Sequence, residues 1–190
     1  PFGGQVEGVA TDVAAVIAND LQMSGRFAPL ERRDLVARPT TGAEIRFEDW
    51  RLLKSDFIVV GRVETAASGL AVGFELFNVR TGASLLAQRL PSTERGLRAT
   101  AHRIADLVFE RLTGVPGAFS TRIAYVTVNG RPPSQRFRLV VADADGFNPR
   151  TVMESGEPIM SPAWSPDGQS LAYVSFEGKD SAIYVQRLGS

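Results

Sequence analysis

The only histidine of the sequence, His102, precedes Asp106 by four residues, a spacing that puts both side chains on one helical face and could offer two metal ligands. A zinc centre needs at least a third ligand, and none stands at a matching spacing. The absence of cysteine removes thiolate ligands, cysteine nucleophiles and disulfides together. His102 is therefore expected on a helix surface, partly exposed and paired with the acid at i+4. The lone histidine also limits Ser-His-Asp catalysis, and no serine occupies a G-x-S-x-G elbow. Asp143, Asp145, Gly146 and Asn148, with Glu154 eleven residues after the first, have the residue types of a calcium loop. An EF-hand places its glycine sixth, whereas Gly146 is fourth, so the stretch reads as an Asp-Gly turn between two strands. Neither G-x-G-x-x-G nor G-x-x-x-x-G-K-[ST] occurs, which excludes the usual phosphate cradles. Arg32-Arg33, the one basic doublet, is neutralised by Glu31 and Asp34 and reads as a solvated face. No catalytic, cofactor-binding or metal-binding residue is expected.

Recognition by a surface depends on which elements carry the remaining residues. Val9, Val13, Val16, Ile17 and Leu21 gather on one face of a helix over 8–24, with Gly25 placed to end it. Residues 27–30 read as a short strand interrupted by Pro29. After the loop Arg38-Pro39-Thr40-Thr41-Gly42, the trio Phe47, Trp50 and Leu53 predicts a short second helix with Trp50 as a core anchor. Residues 56–65, 70–79 and 84–90 are rich in Val, Phe and Leu, and the turn signals Ala67-Ser68-Gly69 and Arg80-Thr81-Gly82 join them into an antiparallel meander. A third helix over 93–112 carries Leu97, Ala101, Ile104, Val108 and Leu112 on one stripe, with Gly114 past its last turn. These elements compose an α/β domain over 1–117, a mixed sheet with helices packed on it, followed by a linker at 118–121. The opening Pro1-Phe2-Gly3-Gly4 reads like the end of a strand and a turn, so the chain is expected to be a fragment.

From Arg122 onward the helical period disappears, and short alternating runs at 122–128, 136–142, 170–176 and 182–188 are separated by Gly, Pro, Asn and Asp turns. Ile123-Ala124-Tyr125-Val126-Thr127 recurs as Leu171-Ala172-Tyr173-Val174-Ser175 after 48 residues. A period of about 40–50 residues with several short strands per unit is that of propeller blades. About one and a half units fit into 122–190. Ser165-Pro166-Asp167-Gly168 supplies a tight reversal between a strand at 161–164 and the next at 170. Tyr125, Trp164, Tyr173 and Tyr184 lie in these strands and are expected in the core. The connection between blades, Glu154-Ser155-Gly156-Glu157-Pro158-Ile159-Met160, would open on one propeller face, which makes Glu157, Pro158, Met160 and Ser161 the candidate partner-binding loop.

Bulk charge points to no polyanion. Lys+Arg and Asp+Glu both number 21, and they balance at 14 against 14 over residues 1–114 and 7 against 7 thereafter. Neither half would be drawn to nucleic acid or anionic lipid. No apolar run approaches the roughly 18 residues of a membrane-spanning helix. Hydrophobic residues at 44 % and charged residues at 22 % are ordinary for a folded globular chain.

Met160-Ser161-Pro162-Ala163-Trp164-Ser165-Pro166-Asp167-Gly168, followed by Leu171-Ala172-Tyr173-Val174-Ser175-Phe176, resembles a repeat of the TolB family, the periplasmic components of Tol-Pal systems. Ser24-Gly25-Arg26-Phe27, Val59-Val60-Gly61-Arg62-Val63, Leu112-Thr113-Gly114, Gly117-Ala118-Phe119, Thr121-Arg122-Ile123-Ala124-Tyr125-Val126 and Asp143-Ala144-Asp145-Gly146 resemble that family in order, so the likeness spans essentially the whole chain. The resemblance implies an α/β domain followed by the first blades of a six-bladed propeller, exported to the periplasm and without catalytic activity. It also implies two partners: the lipoprotein Pal on a propeller face, and TolA through a segment at the mature N-terminus. By the same comparison the chain is expected to begin after that segment and its signal peptide, and to end before most of the Pal surface. The alternative is the N-terminal part of a propeller-bearing serine peptidase whose catalytic domain lies elsewhere.

Overall fold

The structure is a computed structural model describing residues 2–3, 11–67, 69–178 and 180–189. It divides into two compact units, residues 1–120 and 121–190. The first is built on strands β1 (Phe2–Gly3), β2 (Phe57–Ala66), β3 (Gly69–Asn78) and β4 (Ser84–Ser92), in that spatial order. β2, β3 and β4 form the expected antiparallel meander, and β1 joins β2 in parallel at Gly61 and Arg62, which makes the sheet mixed. Three helices accompany it: α1 (Val13–Met23), α2 (Phe47–Leu52) and α3 (Leu97–Thr113).

Period-2 alternation sends the two faces of β3 to two cores. Leu70, Val72, Phe74 and Leu76 meet Val13, Ile17 and Leu21 of α1 and Leu97, Ala101, Ile104 and Val108 of α3. On the other face Phe77 joins Ile58, Val60 and Val79 under Ile45 and Trp50. Trp50 is buried, as its spacing predicts, and truncating such an indole typically costs about 3–5 kcal/mol. Asp12 caps α1 by accepting the Ala15 N–H at 3.1 Å, and Gly114 ends α3 at φ +74° with its N–H on the Glu110 carbonyl.

Several expectations need correction. Residues 27–30 form no strand: Pro29 has no N–H for a ladder, and Phe27 packs edge-on against Phe109 at 6.0 Å. The first helix begins at Val13; Val9, like Gly4 and Ser68, lies outside the described residues. The third begins at Leu97, because Thr93 holds Gly96 in a turn through both its carbonyl and its hydroxyl. The largest correction concerns His102. It is 3 % exposed and does not pair with Asp106; its Nδ1 lies 2.7 Å from Oδ2 of Asp20 on α1, itself 2 % exposed. Asp106, also buried, accepts the backbone N–H of Phe119 at 2.7 Å and of Ser120 at 3.2 Å, together with the Ser120 hydroxyl. The i+4 spacing does put both residues on one flank of α3. That flank is covered, so each side chain takes its partner from another segment. Gly117 belongs to the arrangement, since a Cβ there would fall 2.5 Å from the Asp106 Cα.

The second unit contains two three-stranded antiparallel sheets in chain order, consistent with first propeller blades. One is β5 (Arg122–Asn129), β6 (Arg136–Asp143) and β7 (Arg150–Ser155); the other is β8 (Ile159–Trp164), β9 (Ser170–Gly178) and β10 (Asp180–Arg187). Leu139, Val141, Ile159, Leu171 and Tyr173 form the core between them. The Asp-Gly turn stands where expected between β6 and β7, with Gly146 at φ +80° and its N–H on the Asp143 carbonyl. Tyr184 departs from its expected core position: it stacks on Tyr173 at 5.9 Å and remains 38 % exposed. Among the described residues, β5 and β10 each have one strand neighbour and end their sheets. No described helix is long and apolar enough to cross a membrane.

The Asp106 carboxylate gathers three donors, so Asp106→Ala is expected to destabilise the protein by about 2–4 kcal/mol, and Asp106→Asn, which keeps one acceptor oxygen, by roughly half as much. Urea unfolding followed by Trp50 fluorescence reads both values.

Candidate functional site

The candidate loop lies between β7 and β8 and is shorter than the sequence suggests. Glu154 and Ser155 belong to β7, and Ile159 and Met160 to β8, leaving 156–158 as the connection. Ser155 is buried, and its hydroxyl accepts the Glu157 N–H at 2.9 Å. The Pro158 carbonyl accepts the Phe176 N–H at 3.3 Å. Ile159 points into the core and Pro158 is half-buried, so neither can lead a contact. Glu157, Met160 and Ser161 are exposed, with 47 % of Met160 accessible. Their arrangement depends on an irregularity in β8: Met160 faces Val174 and Ala163 faces Ala172, so one extra residue sits between them, with Ser161 at φ +53°. The bulge turns Met160 and Ser161 outward along the free edge of β8.

The reversal at 165–168 holds the other end of that strand. Gly168 donates to the Ser165 carbonyl at φ +66°, and the Ser165 hydroxyl and the Gln169 N–H both reach the Asp167 carboxylate. The Ser165 hydroxyl, helped by the Gln169 N–H, holds the Asp167 carboxyl below the usual carboxylate range. Arg122 spans the sheets, with its guanidinium 4.7 Å above the Trp164 ring and donating to the Gly168 carbonyl at 2.7 Å. This contact joins residues 46 apart and has no local sequence signal. Burial pushes the Tyr173 phenol up, aided by Glu177 and Tyr184.

In the first unit, a groove of about 400 Å³ lies over the sheet beside Gly73. Its charges are mutually satisfied: Arg62 meets Glu44 at 2.7 Å, Arg89 meets Glu64 at 3.7 Å, and Glu75 accepts the Gly42 N–H. Glu44 is held below the usual carboxylate range, chiefly by the Thr40 N–H. Such a groove leaves no charge for a ligand. The site chemistry is therefore that of surfaces and edges, with no assembled nucleophile, base and acid.

Comparison with known proteins matches the chain twice. The model of the TolB amino-terminal domain covers residues 1–85 and that of the TolB beta propeller domain residues 109–190. The Tol-Pal system protein TolB of Xylella fastidiosa (strain 9a5c) is 48 % identical over 100 % of this chain and 44 % of its own length. That of Xanthomonas campestris pv. campestris (strain B100) has the same identity and coverage. The crystal structure of TolB from Acinetobacter baumannii superimposes with a TM-score of 0.87 at 38 % identity, covering 100 % of this chain and 46 % of that one. The chain thus spans less than half the length of these curated relatives.

The turn permits a test by pH. A folded-state pKa below the unfolded value means that the stabilisation is present above the unfolded carboxylate pKa and is lost as pH falls through the folded one. Carboxyl NMR titration is expected to place Asp167 below an unstructured aspartate, and Ser165→Ala to return it most of the way. An ordinary midpoint in the parent protein would contradict the hydrogen-bond assignment.

Proposed function

The chain belongs to the TolB family, and from that premise we propose that it is part of a non-catalytic, periplasmic interaction scaffold that binds Pal and TolA within a Tol-Pal system. The observation that carries the reading is the identity of 48 % running without interruption through both units. Residues 1–117 are read as the N-terminal domain, 118–121 as a linker and 122–190 as the start of the propeller. The peptidase alternative has no support in relatives that are all Tol-Pal system proteins.

Two physical features agree with a scaffold. Exposed side chains on a rigid edge, Glu157, Met160 and Ser161 on bulged β8, suit protein contact, with Pro158 stiffening the approach. Balanced charge removes the electrostatic attraction that nucleic acid or an anionic membrane surface would need. Cofactor or metal chemistry has no part in this reading.

A Pal interface of standard size, roughly 1,600 Å², would draw on several blades. The full-length parent is therefore expected to bind Pal, and the 190-residue chain at least about a hundredfold more weakly, a difference of about 2.7 kcal/mol. In the parent, the double substitution Glu157→Lys and Met160→Ala is expected to weaken Pal about tenfold and leave TolA binding unchanged. Calorimetry with each purified partner decides it: equal Pal affinity for chain and parent would move the site into residues 1–190, and an unaffected double variant would remove this loop from it.

A further inference from the structure

Most of the outer edge of β2 has no strand beside it. β3 pairs with β2 along its whole length, but β1 covers only Gly61 and Arg62, so at residues 57–60 no described strand occupies the side away from β3. An open edge of this kind is a template for another extended chain. The opposite edge of the sheet, β4, is blunted by Arg89 and Pro91.

Residues 56–59 line a cleft of about 800 Å³ bounded by α1, the segment 26–32 and the end of α2. Its interior is apolar, with Leu21, Phe27, Leu53 and Ile58, and its charge is uneven. Among the lining acids, Asp12 is held by Arg32 at 2.7 Å and Glu31 by Arg33 at 2.8 Å, which leaves Asp56. Against it stand Arg26, Arg38 and Lys54, whose side chains form no ion pair among the described residues. Lys54 has φ +56°, a left-handed conformation that favours glycine, so the chain accepts a backbone cost where this ammonium is presented. Trp50 also lines the cleft; it is 3 % exposed, and its indole Nε1 has no acceptor among the described residues.

We propose that this edge receives an extended peptide from a partner protein, apolar on one face and acidic on the other, which adds a strand beside β2. Backbone pairing at 57–60 continues the pairing that β1 begins, apolar side chains enter the cleft, and carboxylates meet Arg26, Arg38 and Lys54. An acceptor on the peptide satisfies the Trp50 N–H. The inference rests on the protein-interaction reading above but uses a surface separate from the β7–β8 loop.

The test is NMR and amide hydrogen exchange on the isotope-labelled 190-residue chain, with a short synthetic peptide of alternating leucine and aspartate. Expected are a saturable shift of the Trp50 indole N–H with that of Trp164 unmoved, slower exchange at 57–60, and binding weakened at least about tenfold in Arg38→Glu/Lys54→Glu. Lys54→Gly, which relieves the left-handed strain, should fold at least as well and still bind less tightly. An unmoved Trp50 signal overturns the proposal. So does an equal response to a leucine-lysine peptide, unchanged exchange at 57–60, undiminished binding by the charge-reversed variant, or a Trp50 shift given by dodecanoate and not by the peptide. Pal binding by the full-length parent carrying Arg38→Glu/Lys54→Glu is expected to be unchanged, which separates failure here from failure of the scaffold reading.

Discussion

The first unit depends on how α3 satisfies its polar side chains once the sheet has taken its apolar stripe. Leu97, Ala101, Ile104 and Val108 occupy one face, and the flank carrying His102 and Asp106 is buried as well. A buried imidazole or carboxylate without a partner is costly, so covering that flank was possible only with matching groups on the covering segments. Asp20 on α1 supplies one match, and the backbone at Phe119 and Ser120 supplies the other. The position of α1 and the path of the chain leaving α3 thus share one electrostatic requirement.

This requirement also explains what was legible in the sequence. The stripe on α3, the Gly114 stop, the meander and the Asp-Gly turns are written in residues a few positions apart, and local stereochemistry enforces them. The Asp20 to His102 pair joins residues 82 apart, and Asp106 reaches 13 and 14 residues ahead; periodicity carries no trace of either. The i+4 spacing rightly put His102 and Asp106 on one flank but could not say whether that flank faced water. Residues 27–30 misled for a related reason, since their apolar character serves an aromatic contact with Phe109.

The candidate loop was legible in part. Its Gly and Pro mark a connection correctly, yet apolar Ile159 and Met160 adjoin and have opposite fates, one in the core and the other in solvent. Alternation along a strand separates them once the strand is known to begin at Ile159. The β2 edge was invisible in the sequence, because an unpaired edge is a property of which strands come to lie beside one another.

The bulge in β8 has a consequence for parity. Ile159 and Trp164 are five positions apart, an odd interval that would put them on opposite faces of a regular strand, yet both contribute to the same core. The extra residue between Met160 and Ala163 converts the odd interval into an even one. Length in this strand is therefore constrained more tightly than side-chain identity. Losing one residue between Met160 and Ala163 would straighten the ladder and turn either Ile159 or Trp164 away from the core, whereas most single replacements at Ser161 would leave both where they are. An alignment gap at this point records a rearranged sheet, even where every neighbouring residue is conserved in type.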